Sequence, residues 1–388
     1  MDFELSEEQK MMKRECRDFM RREIIPVVDE YEKRGPLSKE EAVKFIKKLI
    51  PLGYVVGPIS PQSGGLGLSR VSTGLLLEEL SYAWPSLASL VHITTLLPMS
   101  IATIGTEEQK KKYLTTSLNG DIISCAAISE PNVGSSAPLG IETTAIEDRD
   151  AYIINGTKTW ITNGPIADVV NVLCVTDKNK GAYGLSRILV ERSASPFKVR
   201  QIHKLGWRSN PLGELSFEDC RVPKGNLLNP NMGGGVKKSL AQELQYGRSI
   251  LAIRACGLAQ AAIDASIEYA KNRVQFGKPI GSFQMIQEMI VDMVMNAEAA
   301  RLLSLRALNL IDKGVNCPKE SSMAKAFACE VVNQVTSKAI QIHGASGLDE
   351  ELPIERYFRD ARVFSIPDGT TQIQKLVVGR ELLGIRAY

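Results

Sequence analysis

Apolar residues recur at helical spacing over the first third of the chain. Met12, Cys16, Phe19 and Ile24 line one side of a predicted helix that opens at a Ser6/Gln9 capping box and reaches roughly Pro26. The same period returns over Lys39 to Leu49. After the turn-rich residues Pro58 to Gly67 it returns again over Val71 to Ala83, where Leu75, Leu76 and Leu80 share a face. Ser86 to Ile104 contains no Asp, Glu, Lys or Arg. A helix that is apolar all round is normally buried, so this one is expected at the centre of an N-terminal helical domain. Thr106 and Gln109 make a second capping box, for a short helix from Glu107 to Leu114.

Near Asp121 the period changes. Short β-prone runs follow at 122–128, 151–154, 169–175, 187–190, 197–202 and 214–217, separated by Asn-Gly, Pro-x-x-Gly and Gly-rich turns. Strands of this length and spacing predict a small barrel or sandwich rather than a parallel sheet with crossover helices. Gly233-Gly234-Gly235 reads as a hinge, after which helical patterns resume over 236–273, 282–312, 321–343 and 373–383. The order is α, then β, then α, and the expected domains are residues 1–120, 121–232 and 233–388 of an α+β protein.

One carboxylate interrupts the C-terminal helices. Asp368 stands between Pro367, which has a fixed φ and no N–H, and Gly369, which tolerates conformations closed to other residues; it is therefore expected on a short loop between helices. Such a position suits a catalytic base. It equally suits an ordinary Asp-Gly turn in which Thr370 caps the helix of Ile373 to Leu383.

Composition narrows the partners. A chain of 388 residues implies two or three domains or one large composite fold. Lysine plus arginine (47) nearly balances aspartate plus glutamate (44) without a basic block, so nothing electrostatic points to nucleic acid or an anionic membrane, and a small-molecule partner is expected. The seven cysteines are scattered and never form a C-x-x-C pair, which predicts reduced thiols in a cytoplasm. His92, His203 and His343 are too far apart for a local metal motif. No signal-peptide core and no run of membrane-spanning length is read, so a soluble cytoplasmic protein is expected.

Further segments combine polar groups with special backbone. Thr159-Trp160-Ile161-Thr162-Asn163-Gly164 offers an indole face, a backbone amide and a hydroxyl at a strand end, the surface that a planar heteroaromatic ring requires; a core Trp before an Asn-Gly turn would look the same. Ser129-Glu130-Pro131-Asn132-Val133-Gly134-Ser135-Ser136 is a strand end breaking into a polar loop. Arg273 to Ile280 closes a long helix with cations and Gly277, fit for a phosphate or for plain helix termination. Gln341-Ile342-His343-Gly344-Ala345-Ser346-Gly347 is a second helix end with flexible backbone, and His343 is given no catalytic role.

In this order and spacing, the segments resemble the acyl-CoA dehydrogenase family along essentially the whole chain. Gly64-Gly65-Leu66-Gly67-Leu68-Ser69, Glu78-Glu79-Leu80-Ser81 and Gly105-Thr106-Glu107-Glu108-Gln109-Lys110 belong to the same resemblance. It implies an N-terminal helical domain, a middle β-barrel and a C-terminal four-helix bundle. It also implies FAD, with Ile128 and Ser129 at the pyrimidine side, Trp160 and Ile161 flanking the ring, Thr162 near N5, and Thr370 and Gln372 as further contacts. Arg273, Phe276, Gln341, Gly344 and Ala345 match residues that reach FAD held by a neighbouring subunit, which implies an oligomer, usually a tetramer. Ser135, Arg248 and Gly369 match substrate-binding positions, Asp368 matches the base, and electrons would pass to an electron-transferring flavoprotein.

The chain departs from the family pattern in places. Asp368 replaces the usual Glu, and Gly247 occupies the position from which some branches supply their base. The usual G-A-G-S-D loop reads Asn132 to Ser136, and Trp84 to Ser100 contains no Arg or Lys of the kind that receives dicarboxylic substrates. The resulting expectation is dehydrogenation of an apolar acyl-CoA, favouring an alicyclic or α-branched group such as cyclohexane-1-carbonyl-CoA because the shorter base leaves room for a ring. A short-chain acyl-CoA dehydrogenase, a nitroalkane-oxidase-like flavoprotein, which also uses an Asp base, and a non-catalytic family member are the alternatives.

Overall fold

The computed structural model describes residues 4–137, 140–228, 235–385 and 387; Gly233 and Gly234 of the expected hinge lie outside them. The chain begins with α1 (Glu7–Phe19), whose Ser6/Gln9 capping box is formed on both sides. The helix then widens into a π-helical turn (Met20–Ile24) and a 3-10 turn at Pro26 before α2 (Val28–Arg34). Helices α3 (Lys39–Leu49), α4 (Arg70–Ala83), α5 (Pro85–Ile104) and α6 (Glu107–Leu118) follow, the third and last of these six helices also opening on complete capping boxes, at Ser38 and Thr106. Most of α5 is buried, as its uncharged sequence requires. By length and composition α5 and Ser239–Asn272 could each cross a membrane, contrary to the sequence expectation. Their apolar windows are 61% and 78% buried within the protein, which makes them core helices.

The middle region is a seven-stranded sheet of β1 (Ser124–Ala127), β2 (Thr144–Asp148), β3 (Ala151–Thr162), β4 (Val169–Val175), β5 (Leu185–Glu191), β6 (Lys198–Gln201) and β7 (Leu212–Pro223). Its order is β1-β4-β2-β3-β7-β6, with β5 added to β4. The expected closed barrel is not formed: the sheet is a curled half-barrel. The curl has a local cause in the β3–β7 ribbon, where the register slips at Ile154/Gly156 and Lys158/Ile161. Asn155-Gly156 therefore lies at a bulge inside β3 and not in a hairpin turn between strands. The β1–β4 pair is parallel, while β3 pairs antiparallel with both β2 and β7.

The C-terminal region comprises α7 (Gly235–Asn272), a two-residue ribbon of β8 (Val274–Gln275) and β9 (Lys278–Pro279), α8 (Gln284–Asp312), α9 (Pro318–His343), α10 (Ile354–Phe364) and α11 (Thr371–Leu383). Helices α7, α8 and α9 pack on one another and α11 packs along α9. Helix α4 packs on α7 and α8, so one apolar core, which includes Leu76, Leu80, Ile250, Ile253, Leu308 and Val332, joins the two helical regions. A separate core, including Val170, Val172, Ile188 and Phe217, lies inside the sheet. The base loop is thus attached to the larger helical core, and the Trp160 segment to the sheet.

Candidate active site

The turn between α10 and α11 is built around two successive left-handed residues, Asp368 at φ 57° and Gly369 at φ 88°. Asp tolerates this region better than most side chains, and Gly pays no steric penalty there. Three donors hold the turn by its carbonyls. Lys325 Nζ donates to Ser365 O (3.2 Å) and Gly369 O (2.7 Å), Gln374 Nε2 to Asp368 O (2.9 Å) and Gly369 O (2.8 Å), and Arg248 Nε to Asp368 O (3.4 Å). Thr370 caps α11 and accepts from Ile373 N, so the expected helix cap is formed.

The Asp368 carboxylate is partly buried and accepts no hydrogen bond from the described residues. Burial raises its pKa from the usual carboxylate value, against the pull of Lys325, Arg248 and Arg254. It lies over α7 at Gly247, where an added Cβ would stand 3.3 Å from Oδ2. The Pro367-Asp368 turn closes through the Gly369 N–H, and among the described residues the backbone N–H of Asp368 donates to no backbone carbonyl, leaving one donor at the base residue itself.

The second wall comes from the sheet. Thr159 N donates to Ser129 O (2.9 Å), which brings the Ile128-Ser129 and Trp160-Ile161-Thr162 segments together. Beneath them Lys158, fully buried, donates to Ile128 O (3.0 Å) and Glu130 Oε1 (2.8 Å), while Glu130 also accepts from Glu142 N (2.7 Å) and Thr143 N (2.9 Å). Burial acts to raise the Glu130 carboxyl, but Lys158 and these amides hold it below its usual value, so it remains a carboxylate. At the β3 bulge Trp160 adopts φ 59° and is 62% exposed, while its neighbour Ile161 is buried. A positive φ is an outlier for a bulky residue, and here it turns a large aromatic face outward. Thr162 and Ser129 are half-buried at the edges of this surface, and Ser135 is exposed on the following loop.

The remaining expected residues form a separate group. Arg273 and Phe276 flank the β8–β9 ribbon; Phe276 has φ 50° and is 92% exposed. Gln341, Gly344 and Ala345 are exposed at the end of α9, and Gln372 is exposed at the start of α11. His343 is structural: Nδ1 lies 2.8 Å from Ala339 O and its ring stacks on Tyr269. Lys158, Lys325 and Gln374 were not singled out from sequence. The available signal was a polar side chain on an otherwise apolar strand or helix face, which does not reveal what it meets. Trp84 to Ser100 itself carries no Arg or Lys, and Arg254 of α7 reaches the start of that segment, donating to Pro85 O (3.2 Å).

Known proteins agree with this architecture throughout. Models of the acyl-CoA dehydrogenase N-terminal, middle and C-terminal domains match residues 6–121, 125–220 and 233–383. The mitochondrial short-chain specific acyl-CoA dehydrogenase of Rattus norvegicus is 38% identical over 99% of this chain and 92% of its own length. Butyryl-CoA dehydrogenase from Megasphaera elsdenii superposes with a TM-score of 0.92 at 34% identity, covering 99% of this chain and 100% of that one. A chain in the structure of the electron transferring flavoprotein of Acidaminococcus fermentans, described towards a mechanism of flavin-based electron bifurcation, superposes at 0.93 with 36% identity, covering 99% and 100%. The site and these likenesses define an FAD-dependent oxidoreductase. The chain belongs to the acyl-CoA dehydrogenase family.

The residues present fit FAD. The outward indole of Trp160 supplies a flat apolar surface, and the Ser129 and Thr162 hydroxyls supply short polar groups beside it.

Proposed function

We propose that this protein is a short-chain acyl-CoA dehydrogenase in which Asp368 removes the α-proton of a CoA thioester. The observation that carries the reading is the carboxylate itself: left without hydrogen bonds over Gly247, on a residue whose own backbone N–H donates to no backbone carbonyl. The α-proton of a thioester is weakly acidic, so its removal needs a base at the carbon and positive partial charge at the carbonyl oxygen. Asp368 takes the proton on a carboxylate oxygen, and its own backbone N–H meets the charge growing on the thioester oxygen. Trp160 and Thr162 would hold FAD, which when bound would supply the acceptor for the hydride lost from the β-carbon.

The acyl end supports a short chain. Tyr246, next to Gly247, meets the ring of His92 from α5 at a centroid distance of 5.9 Å, and the two rings line a small cavity together with Leu76, Leu77, Val91 and Thr95. Likeness to short-chain and butyryl-CoA dehydrogenases points the same way and displaces the alicyclic reading as the favoured one. The shortness of Asp368 still favours an α-branched or cyclic group, which makes cyclohexane-1-carbonyl-CoA the comparison substrate. Ser135 and Arg248 are proposed to meet the CoA portion. A homotetramer, with Arg273, Phe276 and the Gln341 to Ala345 segment completing a neighbour's FAD site, is supported by the exposure of Phe276, Met285 (80%) and Met295 (64%). An electron-transferring flavoprotein as acceptor is supported by the likeness to the Acidaminococcus chain. A cytoplasmic location accords with seven free, buried thiols.

Anaerobic mixing with butanoyl-CoA and with cyclohexane-1-carbonyl-CoA tests the reading. Butanoyl-CoA is expected to bleach the flavin with the higher kcat/KM and without oxygen uptake. Preference for the cyclic thioester would restore the alicyclic reading, and no bleaching by any acyl-CoA would remove the dehydrogenase assignment.

A further inference from the structure

Helix α7 carries a cation that neither the cofactor walls nor the loop tethers use. Arg254 is 2% exposed, its Nη2 makes one hydrogen bond to Pro85 O, and its buried Nε has no partner. Among the described residues no carboxylate pairs with it directly; its guanidinium lies over Trp207 (5.0 Å to the ring centroid) and Phe364 (5.8 Å). Burying an unpaired charge is costly, so a compensating negative charge is expected nearby.

Helix geometry indicates which one. Arg254 follows Gly247 by two turns, so both residues face the same side of α7 about 10 Å apart along its axis. Helical side chains lean toward the N-terminus, which directs the long Arg254 side chain back toward Gly247 and the carboxylate above it. Phe364, which the guanidinium covers, is the last residue of α10 before the loop that holds Asp368.

We propose that Arg254 is a positioning residue that keeps the Asp368 carboxylate ionised inside the site. This rests on the reading of Asp368 as the base. The other charged groups around the carboxylate are already engaged. Lys325 from α9 and Arg248 from α7 donate to loop carbonyls. Glu330 from α9 accepts from Thr371, burial holds the Cys329 thiol of α9 up at about 12, and burial holds His92 of α5 neutral, its pKa down at about 3. Burial draws Arg254 down to about 9, with Asp368 opposing that loss, so it remains a cation at neutral pH. Removing this charge weakens the ionised form of Asp368, and the acidic limb of catalysis moves to higher pH.

The test is anaerobic flavin reduction by butanoyl-CoA across pH in wild type, Arg254→Gln and Arg254→Lys. Proton uptake on binding a non-reducible acyl-CoA thioether, measured calorimetrically in two buffers, gives a readout independent of turnover. Arg254→Gln is expected to raise the acidic limb by ~1 pH unit, a factor of about ten in the ionisation constant, and to move the pH at which proton uptake falls away by the same amount. Arg254→Lys should restore most of both shifts. An unmoved limb and unmoved uptake in folded, FAD-bound Arg254→Gln would overturn the proposal. Asp368→Asn separates the two ideas: if it still reduces its flavin at the wild-type rate, the base assignment is what fails. If Arg254→Gln does not fold, Arg254→Lys alone decides, since a shorter cation should give a smaller upward shift and a purely structural role none.

Discussion

The two walls of the site treat buried charge in opposite ways. On the sheet side Lys158 and Glu130 neutralise one another, and the pair spends its remaining hydrogen bonds on the backbone at Ile128, Glu142 and Thr143. On the loop side Lys325, Arg248 and Arg254 surround a single carboxylate, yet the hydrogen bonds of the first two at the turn go to its carbonyls and leave the Asp368 oxygens bare. A paired, fully bonded charge is rigid and chemically inert. An unbonded carboxylate can still accept a proton, and its cationic surround opposes the rise in pKa that burial causes. The first arrangement suits a surface that receives a cofactor, and the second suits a base.

Exchanging these properties breaks the comparison. Asp368→Asn removes the proton acceptor but preserves size, so flavin reduction by butanoyl-CoA should fall by ~10²–10⁴-fold while FAD remains bound. Stopped-flow bleaching checks this, and a rate within tenfold of wild type would exclude Asp368 as the base. Lys158→Met leaves Glu130 buried and unpaired, which should cost about 3–5 kcal/mol of stability in urea denaturation and loosen FAD. Adding Glu130→Gln should recover part of that loss; a double variant no more stable than Lys158→Met would argue against a coupled pair.

Smaller changes sharpen the contrast. Gly247→Ala places a methyl 3.3 Å from Asp368 Oδ2, so the carboxylate must give by a few tenths of an ångström; since a displacement of about 1 Å can cost ~10²-fold in rate, a loss of less than ~10-fold is expected. The thermal midpoint and FAD content should change little, because the substitution acts on position and not on charge. Thr162→Ala removes one hydroxyl at the edge of the sheet wall. Its expected effect is about 0.5–1.5 kcal/mol on FAD affinity or reduction rate, with complete inactivity of a folded, FAD-bound variant excluded.

Much of this protein was determined locally. Capping boxes at Ser6 and Thr106, the uncharged α5 and the Pro367-Asp368-Gly369 interruption are short-range features whose physics needs only neighbours in sequence, and each occupies its expected place. The Trp160 and Asp368 segments were legible for the same reason, since special backbone advertises itself through Gly, Pro and turn residues. What tertiary structure decided were the matters that depend on partners distant in the chain. Local alternation does not specify whether a sheet closes, and the bulges that curl this one arise from register between β3 and β7. Burial and charge balance belong to neither partner alone: Lys158 and Lys325 look like ordinary surface lysines until Glu130 and the carbonyls of Ser365 and Gly369 are brought to them. Likewise the Trp84 to Ser100 segment contains no cation, but packing α7 against α5 delivers Arg254 to Pro85, because a helix contributes side chains to whatever faces it and not to its neighbours in sequence.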